Sequence, residues 1–212
     1  GGATGQLVNL FVGFFIGLSS GCGVIISQYY GARDQNAVSK SVHTALAFSL
    51  LSGVVIMVLG LLLTDFSLRA MSLPEEIMPE ATAYLRIFFL GMIPNLFYNM
   101  GAAVLRAIGD SKRPLYFLIL SCLCNIVLDL IFVAHLRLGV SGAALATILS
   151  QLASAVMVLF VLLRTKSDVR LIPSQLRLEP FWLKKMIYVG LPAGLQSTMY
   201  TVSNIIVQAT IN

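Results

Sequence analysis

Asn125 and Asp129 stand four residues apart inside 115–133, LYFLILSCLCNIVLDLIFV, a run apolar enough to cross a bilayer. At that spacing both side chains leave one face of the same helix. An ionised Asp costs about 2.5–3.5 kcal/mol at the centre of a membrane helix, and less toward its ends, so an acid inside a span is by default a proton or cation site. Asp129 is the only acid in any apolar run of the chain. The next run, 140–163, begins after a short connection and must return antiparallel, with the joined ends facing outside. Counting inward at roughly 1.5 Å per residue, Asp129 lies about 6 Å, Thr147 about 10 Å and Asn125 about 12 Å below those ends. A carboxylate, an amide carbonyl and a hydroxyl in one depth band can coordinate a hard monovalent cation such as Na⁺. They can equally hold a proton on the carboxyl, because burial disfavours its charged form. The alternative is a buried acid that is merely hydrogen-bonded.

These residues need a membrane around them, and the composition supplies it. The 212 residues are 58% hydrophobic and 11% charged, against about 25% charged in soluble domains. Six apolar runs are expected to span: 6–30, 42–63, 84–105, 115–133, 140–163 and 186–211. The predicted fold is all-α, a polytopic membrane helical bundle. Basic residues set its orientation. One set of connections carries Arg33, Lys40, Arg106, Lys112, Arg113, Arg164, Lys166, Arg170, Arg177, Lys184 and Lys185, while the other carries Arg69, Arg86 and Arg137. The first set is expected in the cytoplasm. Charge spread over short connections argues against nucleic acid as a partner and for the lipid bilayer.

The first run places Gly13, Gly17 and Gly21 on one ridge, suited to close helix packing. Pro94 is expected to kink the third run near Asn95 and Asn99, two amides that are cavity-lining candidates. In the last run Gln196, Tyr200, Asn204, Gln208 and Asn212 recur every four residues. Such a stripe lines a water-filled cavity or hydrogen-bonds to a neighbouring helix. His43 and His135 fall at the edges of runs and read as solvated. Cys22, Cys122 and Cys124 read as buried small hydrophobes, since C-x-C without further ligands has poor metal spacing. No metal site is expected beyond Na⁺ at Asp129, no catalytic grouping emerges, and no nucleotide-binding loop is present, so the chain does not read as an enzyme. The sequence opens on membrane-like residues without a basic leader and reads as a piece of a longer protein.

The runs LRAIGDSKRPLY (105–116), NIVLDLIF (125–132), LGVSGAALATILSQ (138–151), SQYYGARD (27–34) and VGLPAGLQS (189–197) together resemble the MATE family, the multidrug and toxic compound extrusion transporters. The resemblance implies two six-helix lobes related by an internal repeat, of which this chain is the second to seventh helices. Residues 1–163 would be the N-terminal lobe lacking its first helix, 164–185 a cytoplasmic linker, and 186–212 the first helix of the second lobe. It also implies a proton or sodium site made by an acid and an Asn on the fifth helix and a Thr on the sixth. The matching positions are Asp129, Asn125 and Thr147, with Tyr84 as a further member; the family's first-helix acid would precede Gly1. The implied function is efflux of amphipathic or cationic organic compounds by antiport with H⁺ or Na⁺. No cofactor is expected beyond the coupling ion, and the complete protein is expected to be monomeric in the cell membrane. A lipid-linked oligosaccharide flippase of the same fold group, or a non-transporting membrane scaffold, are the competing readings.

Overall fold

A computed structural model describes the backbone of residues 2–70 and 72–211, and the side chains of 10–66, 68–70 and 72–211. The described residues form α1 (Gly2–Gly31), α2 (Gln35–Ala70), α3 (Met78–Leu90), α4 (Met92–Ala107), α5 (Lys112–Asp129), α6 (Val140–Arg164) and α7 (Pro180–Ile211). A π-helical turn, Leu130–His135, continues α5, and a short 3₁₀ turn, Pro173–Gln175, lies before α7. The helices α1, α2 and α6, and α5 with its π-turn, are each long and apolar enough to cross a bilayer. So is the pair α3–α4 taken as one span bent by 45°. The chain is therefore a multi-pass membrane protein. The sixth expected span, 186–211, lies within α7, whose 32 residues are ample length but do not reach the same apolarity. Its recurring polar residues are the reason.

Two other expectations about the helices change. The bend in the third span lies at Gly91 rather than near Asn95 and Asn99. A proline ring excludes the carbonyl four residues earlier, so the helix breaks one turn before Pro94. Gly91 N–H closes a tighter turn onto the Phe88 carbonyl at 3.0 Å, and Asn95 N–H resumes the helix at the Gly91 carbonyl at 3.1 Å. The second helix, expected from 42, begins at Gln35 because Asp34 caps it, its Oδ1 accepting the Ala37 N–H at 3.1 Å.

The main core lies where α1, α2, α4 and α6 meet, around Ile26, Leu46, Leu96, Met100 and Leu162. The start of α7 joins it through Trp182 and Met186. A smaller cluster of Leu68, Leu85, Phe88, Phe89 and Met92 packs the α2–α3 end. In contrast α5 presents Leu115, Leu118, Leu123, Ile126 and Val127 outward, all about half exposed or more. A bilayer solvates such a face without cost.

The connection from α5 to α6 ends at Gly139, with φ 68° and ψ −142°. Only glycine adopts that region readily, at a cost of about 1–3 kcal/mol for other residues. Gly139→Ala is therefore expected to lower the thermal stability of the complete purified protein by that order. An unchanged melting temperature would show that the turn relaxes to another conformation.

Candidate ion-binding site

The pairing of α5 with α6 builds the site. Ser121 Oγ donates to the Ser150 carbonyl at 2.8 Å across the pair, and Tyr98 Oη donates to the Pro114 carbonyl at 2.7 Å, tying the start of α5 to α4. Further along, Asn125 Nδ2 faces Thr147 Oγ1 at 3.5 Å, the outer limit of a hydrogen bond. Thr147 Oγ1 in turn donates to the Ala143 carbonyl at 3.0 Å. With its amide nitrogen turned to Thr147, Asn125 has its carbonyl oxygen as a further acceptor, which meets no donor among the described residues.

Asp129 lies one turn on from Asn125 along α5. Its Oδ1 is buried, and no donor among the described residues reaches it. A buried acceptor left in this way costs about 1–3 kcal/mol, although the residue as a whole is half-buried. Asp129 is also the last residue before the backbone widens into the π-turn, where Leu136 N–H bonds to the Ile131 carbonyl at 2.8 Å. π-turns recur at functional sites because they re-aim side chains within a helix. The π-turn approaches α6 closely at Gly142, where an added Cβ would lie 3.2 Å from Phe132 Cβ.

The other expected members divide. Tyr84, on α3, is half-buried against the Leu85–Phe88–Phe89 cluster and, among the described residues, makes no hydrogen bond to Asp129, Asn125 or Thr147. Asn95 is buried and Asn99 half-buried in α4. They pair with each other within one helix, Asn99 Nδ2 donating to Asn95 O at 2.8 Å and to Asn95 Oδ1 at 2.9 Å. On α7, Gln196, Tyr200 and Asn204 are exposed and form no hydrogen bond among the described residues. Gln208 is exposed and has an interaction of its own. Asn212 lies outside the described residues. The side of α7 that meets α1 is instead the small one, Gly190, Ala193, Gly194 and Ser197.

The sequence model of the MatE family matches residues 1–131. The chain belongs to the MatE family. The MatE relative named "Probable multidrug resistance protein YoeA", from Bacillus subtilis, is 32% identical over 97% of this chain and 46% of its own length. A solved structure titled as the outward-facing conformation of a multidrug resistance MATE family transporter superposes with a TM-score of 0.89 at 29% identity. It covers 96% of this chain and 46% of its own. A third, from Pyrococcus furiosus, has a TM-score of 0.86 at 30% identity, covering 96% of this chain and 46% of its own. Its title reports a reversed binding-pocket polarity suggesting a different function. The chain thus spans just under half the length of these relatives.

Two residues of this MatE chain have roles that composition did not signal. His43, expected to be solvated, is buried. Its Nδ1 lies 2.6 Å from the Ser39 carbonyl, and its Nε2 accepts the Ile172 N–H at 3.0 Å. Lys185 Nζ donates to Tyr29 Oη at 2.6 Å and sits over the rings of Tyr29, Phe181 and Trp182, fastening the start of α7 to α1. The capping pattern at Asp34 was the available signal for His43, since a helix starting at Gln35 carries His43 two turns inside it. Of the cysteines only Cys22 is buried; Cys124 is half-buried and Cys122 is exposed on the outer face of α5.

Proposed function

We propose that the complete protein is a secondary antiporter that exports amphipathic, often cationic, organic compounds in exchange for inward H⁺ or Na⁺. The observation that carries this reading is the buried, unbonded Asp129 oxygen beside the Asn125–Thr147 pair. A carboxyl that gains a proton or a cation loses its net charge where charge is costly. One packing of the helices is then favoured over another, and drug and ion compete by preferring different states. Relatives named for multidrug resistance support the same reading. In it, residues 1–163 belong to one lobe and 186–212 open the second. The Lys- and Arg-rich connections face the cytoplasm, the membrane is the cell membrane, and the protein works as a monomer. The exposed stripe Gln196–Tyr200–Asn204 would face the substrate cavity, because polar side chains on a membrane helix need water or a partner.

The oligosaccharide-flippase reading would call for cationic side chains deep in the spans. Apart from Arg86, which lies within α3 and pairs with Asp65, the described helices keep Lys and Arg toward their ends, which favours the antiporter. Dye efflux from vesicles containing the complete protein, with the Na⁺ and pH gradients imposed separately, tests the proposal. Export is expected to follow one of the two gradients and to stop when it is collapsed. Efflux indifferent to both would overturn the coupling, and no efflux under either would favour the scaffold.

A further inference from the structure

The stretch 164–185, taken as one tether, divides in two. Its first half is packed into the core: Val169 and Leu171 are buried, and Leu171 N–H donates to the Leu162 carbonyl of α6 at 2.8 Å. The next backbone donor, Ile172 N–H, is accepted by His43 Nε2 of α2 at 3.0 Å. After it comes Pro173, which has no N–H to offer. From there the backbone bonds are local, Gln175 N–H to the Ile172 carbonyl at 2.9 Å and Leu176 N–H to the Pro173 carbonyl at 3.3 Å. Pro173, Ser174, Gln175, Arg177 and Leu178 are exposed, and Leu176 is half-buried, its side chain resting against the main core without a backbone bond to it. At the far end α7 is fastened again through Trp182 and Lys185.

His43 suits a fixed clip. Its contacts are compatible with one assignment of the ring, Nδ1–H donating to the Ser39 carbonyl, with Ser39 Oγ also 3.5 Å from Nδ1, and Nε2 accepting from Ile172. The first contact aims the second, and the ring is 2% exposed, so water does not compete for either nitrogen. An imidazole is one of few side chains that can donate backward into its own helix and accept forward from another segment.

We propose that His43 is a positioning residue that clips the first half of the linker to the N-terminal lobe, so that the hinge between the lobes is 173–179 alone. This rests on the two-lobe reading above. Residues 165–172 then move with α2 and α6 as one body, and a seven-residue hinge passes the lobe rotation to α7.

Hydrogen–deuterium exchange on the complete protein in lipid nanodiscs tests it. In the unaltered protein 169–172 is expected to exchange slowly and 173–179 fast. His43→Phe keeps a ring but removes the acceptor, and should speed exchange at 169–172 by about five- to tenfold, the effect of losing one hydrogen bond, with 173–179 unchanged. His43→Gln, whose side-chain carbonyl reaches where Nε2 stands, should restore slow exchange, and the shorter His43→Asn should not. Fast exchange at 169–172 in the unaltered protein, no change in His43→Phe, or equal acceleration in the Gln and Phe variants would each overturn the clip. Should the Phe variant fail to fold, the contrast between Gln and Asn carries the same decision. Exchange is read without transport, so a protein that behaves this way yet moves no dye would refute the antiporter reading and leave the clip standing.

Discussion

Asp129→Asn in the complete protein is expected, on the antiporter proposal, to reduce gradient-driven dye export to the level of cells lacking the protein, while expression and membrane insertion stay normal. The substitution keeps the size and shape of the side chain, so the end of α5, the π-turn from Leu130 to His135 and the pairing with α6 have no steric reason to change. What it removes is the ability to alternate between a charged and a neutral state. If the free energy between two packings depends on that charge, at a cost of about 2.5–3.5 kcal/mol for an ion deep in a span, a permanently neutral side chain holds the protein in the ion-bound arrangement. A shift of that size is a population ratio of roughly a hundredfold. Thr147→Val gives the internal comparison. It removes the hydroxyl facing Asn125 but leaves the carboxyl, so it should weaken the response to the coupling ion without abolishing export. Efflux in everted vesicles at matched protein levels reads both variants. Normal export by Asp129→Asn would remove Asp129 from the coupling step.

What the amino-acid sequence alone carries of this fold and site is uneven, and the reasons are physical. Apolar runs are long-range averages, so α1, α2, α5 and α6 were legible. The seventh helix was legible as a helix, but its polar residues keep it from qualifying as a span by composition. Asn125 and Thr147 could be brought to one level by counting, because a short connection fixes the register of two antiparallel helices, and the structure places them together. The π-turn after Asp129 was not legible, since 130–135 carries no proline, glycine or other local signal of a widened turn. Nor was the division of 164–185. Val169 and Leu171 are two apolar residues among charges, and only the tertiary fold shows that both are buried and that His43 waits opposite Ile172. Composition-based reading treats such a stretch as solvated because it weighs charges, whereas the chain is held by two backbone N–H groups that composition cannot see.

The ridge of glycines on α1 leads to the second large effect, and here one methyl group should be enough. An added Cβ at Gly17 would lie 2.5 Å from the Ala193 carbonyl oxygen and 2.7 Å from Gly194 Cα on α7. Both are backbone atoms, so no side chain can turn aside and the two helices must part. The closeness is reciprocal, since a Cβ on Gly194 would lie 3.0 Å from the Phe14 carbonyl oxygen. Two effects oppose each other in Gly17→Ala. Alanine is favoured over glycine inside a helix by about 1 kcal/mol, while overpacking a tight contact costs about 1–3 kcal/mol. With backbone on the other side the second should win, and Gly17→Ala is expected to lower the melting temperature of the complete protein, Gly17→Leu further. Gly23→Ala supplies the control on the same helix. Its new Cβ would meet the Ala103 carbonyl oxygen at 3.5 Å, an ordinary contact, so only the helix preference operates and stability should hold or rise. If Gly17→Ala and Gly23→Ala moved the melting temperature alike, α1 and α7 would not be packed backbone to backbone in the folded protein. Opposite signs would mean that the close approach of these two helices rests on the absence of a side chain at Gly17.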